Sequence, residues 1–299
     1  MDEAVLDVIR NIQDLPTLPS VAMEVMTLAK APDVSIREIS ECIYRDPPLA
    51  TKVLRVANST FYRRGSQEIE TLHRAILMMG LGEVIGITTS VSVLSLLGAR
   101  DSRGASMRAS FWNHCVATGL IARRIDRKLG MKSQGRDFVG GLLHDIGKII
   151  LDGYFHDRFE QACELSSRRR CPLHLAEQEV LGTTHMEVGH YLTRKWNLPP
   201  YLVDITLHHH HPDKAQFRDL TALVSMADLL AKARDLSCCG DTPPFVLKDQ
   251  EAWETLVKLG YPMDGLDVER ITFEIEDIAQ EVEAYITAAS EAAQEAAHG

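Results

Sequence analysis

No stretch of the 299-residue chain holds the roughly 20 consecutive apolar residues a bilayer span needs, so neither a membrane-spanning helix nor a membrane partner is expected. Cysteine is sparse and badly spaced for metal or disulfide work. The six residues include no C-x-x-C pair, and Cys238 and Cys239 are adjacent. A zinc ribbon or a disulfide framework is therefore not indicated, and reduced thiols in a cytoplasmic protein are the expectation. A basic field is missing as well. The net charge is −10 and the pI about 5.6, which argues against a duplex nucleic-acid partner. The one basic cluster, SSRRRC (166–171), reads as a solvated helix end. A phosphorylated small molecule or nucleotide stays open as a partner, because local cations can hold phosphate. The opening MDEAVLDVIRNI is acidic and amphipathic, unlike a basic signal sequence. Alternating strand patterns, sequence repeats and low-complexity tracts are also lacking.

What remains is helical periodicity. The expected fold is all-α and two-lobed, with residues 1–105 as a first helical lobe, 106–237 as a second, and 238–299 as a helical extension. LPSVAMEVMTLAKAP (18–32) is bounded by prolines. Ser35 with Glu38 matches a capping box ahead of a helix that breaks at Asp46-Pro47-Pro48 and resumes to Ser59. Helices are read at 71–80 and 82–98; the second is rich in Thr, Val and Ser, and its length favours helix over strand. Polar breaks fall at 99–106 and 238–244. The second lobe is read as helices at 107–129, 137–153, 156–170, 172–181, 185–197, 201–212 and 217–235. A Glu/Ala-rich tail from Asp267 carries Ile271, Phe273, Ile275, Ile278, Val282 and Ile286 on its apolar side. It could pair with another subunit or fold back.

Three places put ionisable side chains where apolar ones are expected. His114 shares a stripe with Phe111, Thr118, Ile121 and Ile125 by three-and-four spacing. His144 and Asp145 follow the apolar run FVGGLL in the segment HDIGK. Asp228 interrupts TALVSMADLLAKA (221–233). A buried carboxylate needs a cation, a donor or water, since leaving it unpaired costs several kcal/mol. Singly, a hydrogen-bonded core histidine or a surface aspartate explains each. Jointly, imidazole and carboxylate groups from separate helices form a donor set suited to Fe, Mn, Zn or Ni. His185 and the run HHHH (208–211) add further imidazoles, although four consecutive residues cannot all face one site. By itself the run reads as a polar helix end before Pro212.

In its order of motifs the chain resembles the HDOD family, bacterial proteins related to the HD metal-dependent phosphohydrolases. The motifs are LPTLPSVAMEVMTLA (15–29), Asp46-Pro47 with Leu49, KVLRVANS (52–59), AILMMGL (75–81), FWNHCVAT (111–118), GLLHDIGK (141–148) and the stretch from Glu177 to Pro212. Together they cover roughly residues 14 to 235. The resemblance implies His114, His144, Asp145 and Asp228 as ligands of one metal. Asp145 would bridge to a second, held by His185 and His209 with His210 as the other selected histidine. Two divalent transition metals are implied, iron favoured and manganese, zinc or nickel admissible. It also implies Lys148 as a holder of a phosphate or metal-bound anion, catalytic beside Asp145 if the chain is an enzyme. Signal transduction with a signalling-protein partner is the implied role. Phosphodiester or phosphomonoester hydrolysis is the alternative, and di-iron oxygen chemistry is a third. The Gly-Tyr-Pro signature of cyclic-dinucleotide phosphodiesterases occurs only at Gly260-Tyr261-Pro262, far downstream of its usual context.

Overall fold

Side-chain oxygens and prolines set where the first helices begin in the computed structural model. It describes residues 19–29, 31, 33–59, 61–62, 68–98, 105–237 and 245–294, with backbone alone for 94–98, 105–106 and 290–294. Helix α1 (Ser20–Leu28) follows Pro19. At α2 (Ile36–Tyr44) the Glu38 amide donates to Ser35 Oγ, and the Ser35 amide donates to the Glu38 carboxylate at 2.8 Å, the expected capping box. Helix α3 (Pro47–Ala57) starts where Leu49 N–H donates to the Asp46 carboxylate at 3.0 Å. Pro47 stands where its missing N–H is not needed. After α4 (Leu72–Met79) comes α5 (Leu81–Gly98). The hydroxyls of Thr88, Thr89, Ser90 and Ser92 are buried there, and each donates to the carbonyl four residues back at 2.7 to 2.9 Å. These bonds let a segment rich in Thr, Val and Ser stay helical inside a core.

The second lobe is built on α6 (Ala105–Leu129), which packs against α7 (Arg136–Leu143) and α12 (Arg218–Ala233). Between them run α8 (Gly147–Arg169), α9 (Leu173–Leu181), α10 (His185–Lys195) and α11 (Pro200–His208). The α6 stripe is as predicted: Phe111, His114, Thr118, Ile121 and Ile125 are all buried. The arginine run is also as predicted, an exposed end of α8 closed by Arg170 in the left-handed region. No strand occurs among the described residues, and none of their helices is long and apolar enough to cross a membrane.

Two sequence boundaries need correction. The single helix expected over 137–153 is two helices separated by a turn at His144–Ile146, and α8 continues through a kink at Phe155 where a break was expected. The turn follows from crowding. A Cβ on Gly147 would lie 2.0 Å from the His185 carbonyl oxygen, and one on Gly141 would lie 2.6 Å from the Gly119 backbone. Glycines at these two positions let α7 and α8 press on α6 and α10 backbone to backbone, which a straight helix could not do at both ends.

In the C-terminal part, α13 (Glu251–Lys258) lies in the expected helical extension but was not placed as a helix of its own; α14 (Val268–Glu274) and α15 (Ile278–Gln294) follow. The apolar side assigned to the tail holds for Ile271, Ile275, Ile278 and Val282. Phe273 is 74% exposed, because it lies on the face of the short α14 turned away from α6. The tail folds back: α15 packs on α3, α5 and α6, with Tyr285 fully buried among Phe61, Tyr62 and Phe138 and its hydroxyl 2.6 Å from Ser90 Oγ. The Gly-Tyr-Pro triplet caps α13, with Gly260 at φ +85°. The N-terminal segment 1–18, most of the break at 99–106, and 238–244 lie outside the described residues.

Candidate metal centre

Four of the five histidines that resemble ligands, His114, His144, His185 and His209, are tied down at one ring nitrogen. His114 Nδ1 lies 2.7 Å from the Leu236 carbonyl oxygen, and His144 Nδ1 lies 2.7 Å from that of Gly141. His209 Nδ1 faces the Ile205 carbonyl oxygen at 3.2 Å. His185 Nδ1 meets the Glu177 carboxylate at 2.7 Å, and the same oxygen accepts the His185 amide at 2.8 Å. Carbonyl and carboxylate acceptors require Nδ1 to be the donor, so the four Nε2 atoms are left to face one another's space. His185 is placed further by its helix start, where Thr184 and Glu187 form a capping box and put the imidazole on the first helical residue.

Asp145 divides that space in two. Its Oδ2 lies 3.4 Å from His114 Nε2 and 3.3 Å from His144 Nε2, while Asp228 Oδ1 approaches the same two atoms at 3.1 and 3.8 Å. Its Oδ1 lies 3.2 Å from His185 Nε2 and 3.5 Å from His209 Nε2, which are 3.3 Å from each other. With both Nδ1 atoms donating, the two Nε2 atoms and the Asp145 oxygen present three lone pairs to a common point. His210 completes this side: its ring centre is 4.1 Å from that of His209 and 5.3 Å from that of His185. His114, His144 and Asp145 form one group of converging donor atoms, and His185, His209 and His210 form another.

The HHHH run is thereby resolved. His208 faces Asp204 at 3.9 Å, His209 is wholly buried in the centre, His210 lies over it, and His211 points to Glu251 at 3.6 Å. Reading the run as a merely solvated helix end is corrected for His209. Helix α11 stops at His208, but His209 keeps helical angles with its N–H on the Ile205 carbonyl, so the ordinary step of about a hundred degrees per residue turns its side chain inward.

Lysines bond both carboxylates, one on the Asp145 oxygen that faces His114 and His144 and one on the outer oxygen of Asp228. Lys148 Nζ bonds Asp145 Oδ2 at 2.5 Å, and Lys232 Nζ bonds Asp228 Oδ2 at 2.7 Å. The turn at 144–146 brings Lys148 to Asp145, three residues before it. Lys232 and Glu177 were missed, although Lys232 stands four residues after Asp228 on the same helix face. Glu177 gave no such signal, since a glutamate in EQEVL resembles any polar helix position.

Charge is balanced by burial against these partners. Burial disfavours ionisation of Asp145, but His144, Lys148 and His185 outweigh it and hold the carboxyl well below its usual range. Asp228 is held down likewise by Lys232, His114 and His144 against burial. Burial lowers His144, yet Asp145 and Asp228 prevail and raise it to about 9. His114 is raised by the same two carboxylates against burial. On the other side burial dominates, pushing His209 down to about 4 and His210 well below its ordinary value.

A cation fits the atoms left over. Buried His114 Nε2, His144 Nε2, Asp145 Oδ1 and Asp228 Oδ1 all lack a hydrogen-bond partner, and all four point inward. Such orphaned groups are costly in a protein interior, and imidazole with carboxylate is a donor set for a borderline divalent metal.

Comparison with known proteins gives the family and the fold. The HDOD domain model matches residues 15–212. An HDOD domain protein of unknown function from Geobacter sulfurreducens shares the fold at TM-score 0.79 and 24% identity, over 95% of this chain and 96% of its own. A Shewanella amazonensis protein, whose name proposes a metal-dependent phosphohydrolase, shares it at TM-score 0.57 and 19% identity, over 94% and 98%. The chain spans less than half the length of the curated relatives it matches. It is 26% identical over 78% of its length to an uncharacterised Treponema pallidum protein, covering 44% of that protein. It is 34% identical over 50% of its length to Ribonuclease Y of Thermus thermophilus, covering 21% of it. The chain belongs to the HDOD family.

Proposed function

We propose that this HDOD chain binds two divalent transition-metal ions, one on each oxygen of Asp145, and serves as a metal-containing signalling domain. The observation that carries the metal binding is the set of orphaned, buried donor atoms on both sides of Asp145: His114 Nε2, His144 Nε2 and Asp228 Oδ1 on one, and Asp145 Oδ1 facing His185 and His209 on the other. His114, His144 and Asp228 would hold the ion on the Oδ2 side, and His185, His209 and His210 the other. The donors are hard to borderline, with no thiolate among them, a set that admits iron, manganese, zinc or nickel; iron is favoured on the family resemblance. Bound there, such ions supply Lewis acidity toward a phosphoryl oxygen and acidify water. Native mass spectrometry of the chain, stripped with chelator and reloaded anaerobically with Fe2+, tests the reading. Two ions per chain are expected, and a chain that takes up none refutes it.

Phosphoester hydrolysis is a second reading, supported by Lys148. This lysine is only 4% exposed and lies beside the carboxylate that both ions would share. There it would hold a phosphate oxygen as a point charge and offset charge growing on the phosphoryl group. The contact with Asp145 Oδ2 keeps it ordered before substrate arrives. The test is turnover of bis(p-nitrophenyl) phosphate by the loaded chain. Loss of turnover in Lys148→Ala with both ions retained supports hydrolysis; no turnover with Fe2+, Mn2+, Zn2+ or Ni2+ removes this reading and leaves the signalling one.

A further inference from the structure

His174, the second residue of α9, belongs to none of the sequence motifs that point to the metal centre. It stands three residues before Glu177, so the two share a helix face. Glu177 is fully buried against His185. The face that brings Glu177 to His185 also brings His174 to the histidines that follow α11. Its ring centre lies 4.7 Å from that of His210, with the planes 31° apart, and 6.1 Å from that of His211.

These contacts extend the imidazoles of the centre outward in a series. Ring centres are 5.4 Å apart from His185 to His209, 4.1 Å from His209 to His210, 4.7 Å from His210 to His174, and 6.1 Å from His174 to His211. Exposure rises along the series. His185 and His209 are buried, His210 and His174 are half-buried, and the His211 side chain is 43% exposed. At the outer end His211 Nδ1 lies 3.6 Å from the half-exposed carboxylate of Glu251 on α13.

A buried centre poses a problem of access. A hydrated divalent ion loses its water on the way in, and that loss is costly unless protein donors replace the water as it leaves. Metal–nitrogen bonds of about 2.0–2.1 Å let one ion bridge two imidazoles whose ring centres are up to about 6 Å apart, so each ring of the series is within reach of the next. The other half of the centre is less open to a cation, because the ammonium groups of Lys148 and Lys232 bond its two carboxylates. The imidazole series ends at a carboxylate instead. Among the described residues the donor atoms that converge on this side are those of His185, His209 and His210, without His174. Nearly parallel rings do not chelate one ion together, so His174 is placed to pass an ion to His210 and not to share it.

We infer that His211, His174 and His210 form the entry route for a divalent transition-metal ion, from Glu251 at the surface to the His185 and His209 half of the centre. His174 is a relay on this route and not a ligand at its end. The inference rests on the proposed function, since a route needs a destination.

The test uses the full chain, stripped of metal, and Zn2+ as the probe. Uptake is followed by stopped flow with a fluorescent zinc indicator. Release is followed into a large excess of chromophoric chelator, where the rate no longer depends on chelator concentration. His174→Phe keeps a ring against His210 but removes the lone pair. It should still bind two ions with parent affinity, because a relay lowers the forward and reverse barriers equally. Uptake and release of one ion should both slow by about tenfold or more, each tenfold being about 1.4 kcal/mol of barrier. Circular dichroism checks the fold; if His174→Phe does not fold, His211→Ala, at an exposed position, decides through the same two rates. Parent rates in a folded variant overturn the route. One ion weakened about tenfold with parent uptake makes His174 a ligand or its support, and overturns the relay. A parent chain that takes up no Zn2+ refutes the proposed function itself, whereas failure of the route alone leaves a parent that binds two ions.

Discussion

Replacing Glu177 should damage the metal centre without touching any of its donor atoms. Glu177 is fully buried and uses one oxygen to accept both the amide and Nδ1 of His185, at 2.8 and 2.7 Å. Removing it in Glu177→Ala orphans two buried donors, at about 1–3 kcal/mol each. A loss of about 2–6 kcal/mol is a large share of the roughly 5–15 kcal/mol that holds a folded protein, so this variant reads stability more than binding. Glu177→Gln is the sharper test. The amide oxygen can still accept both bonds, but the negative charge that makes the imidazole a stronger donor is gone. Outer carboxylates of this kind are worth about 10–100-fold in metal affinity, or about 1.4–2.7 kcal/mol. The assay is competition with a chromophoric chelator on stripped protein. One ion should weaken by about tenfold or more, with the other near its parent affinity. Two ions bound with parent affinity in a folded Glu177→Gln chain would refute the assignment of His185 and of Glu177's part in positioning it.

Three further outcomes follow from the packing and the charges. Gly147→Ala puts a Cβ 2.0 Å from the His185 carbonyl oxygen, so α8 and α10 must separate; a loss of about 1–3 kcal/mol and a Tm lower by several degrees are expected in calorimetry. In the metal-free chain burial lowers His144 but Asp145 and Asp228 hold it at about 9, whereas a bound ion needs the neutral ring. Loading at pH 7 should therefore release a proton into weak buffer, and affinity should rise as pH climbs toward 9. Stability runs the opposite way in the metal-free protein, because a raised histidine stabilises fully below its unfolded value near 6.5 and that contribution fades as pH passes about 9. Tyr285→Phe should cost about 1 kcal/mol through the lost bond to Ser90, and Tyr285→Ala about 3–5 kcal/mol through the emptied space beside Phe61 and Phe138; denaturant titration separates the two.

The residues that sequence reasoning located are those that break a pattern. His114 and Asp228 interrupt apolar stripes, and a polar group on a buried face has to be explained. His144 and Asp145 stand after an apolar run for the same reason. The outer partners break no pattern: Glu177 looks like any surface glutamate, and its burial depends on α9 lying against α8, which only the tertiary structure reveals. The helix boundary at 144–146 was hidden because its backbone stays near helical angles, and its cause is contact with α10, remote in sequence. Phe273 was misplaced because a helical stripe was extended across the break between α14 and α15, where the axis changes. Helix α13 was passed over although Ala252, Trp253 and Leu256 form a buried stripe.

The most direct test of the shared-carboxylate centre is the count of ions per chain in half-site variants, by native mass spectrometry after loading under one protocol. Two ions are predicted for the parent, one for Asp228→Ala, one for His185→Ala, and none for Asp145→Ala, because its two oxygens face the two donor groups at 3.2 to 3.5 Å. A parent that holds a single ion, or an Asp145→Ala chain that keeps two, would contradict the account.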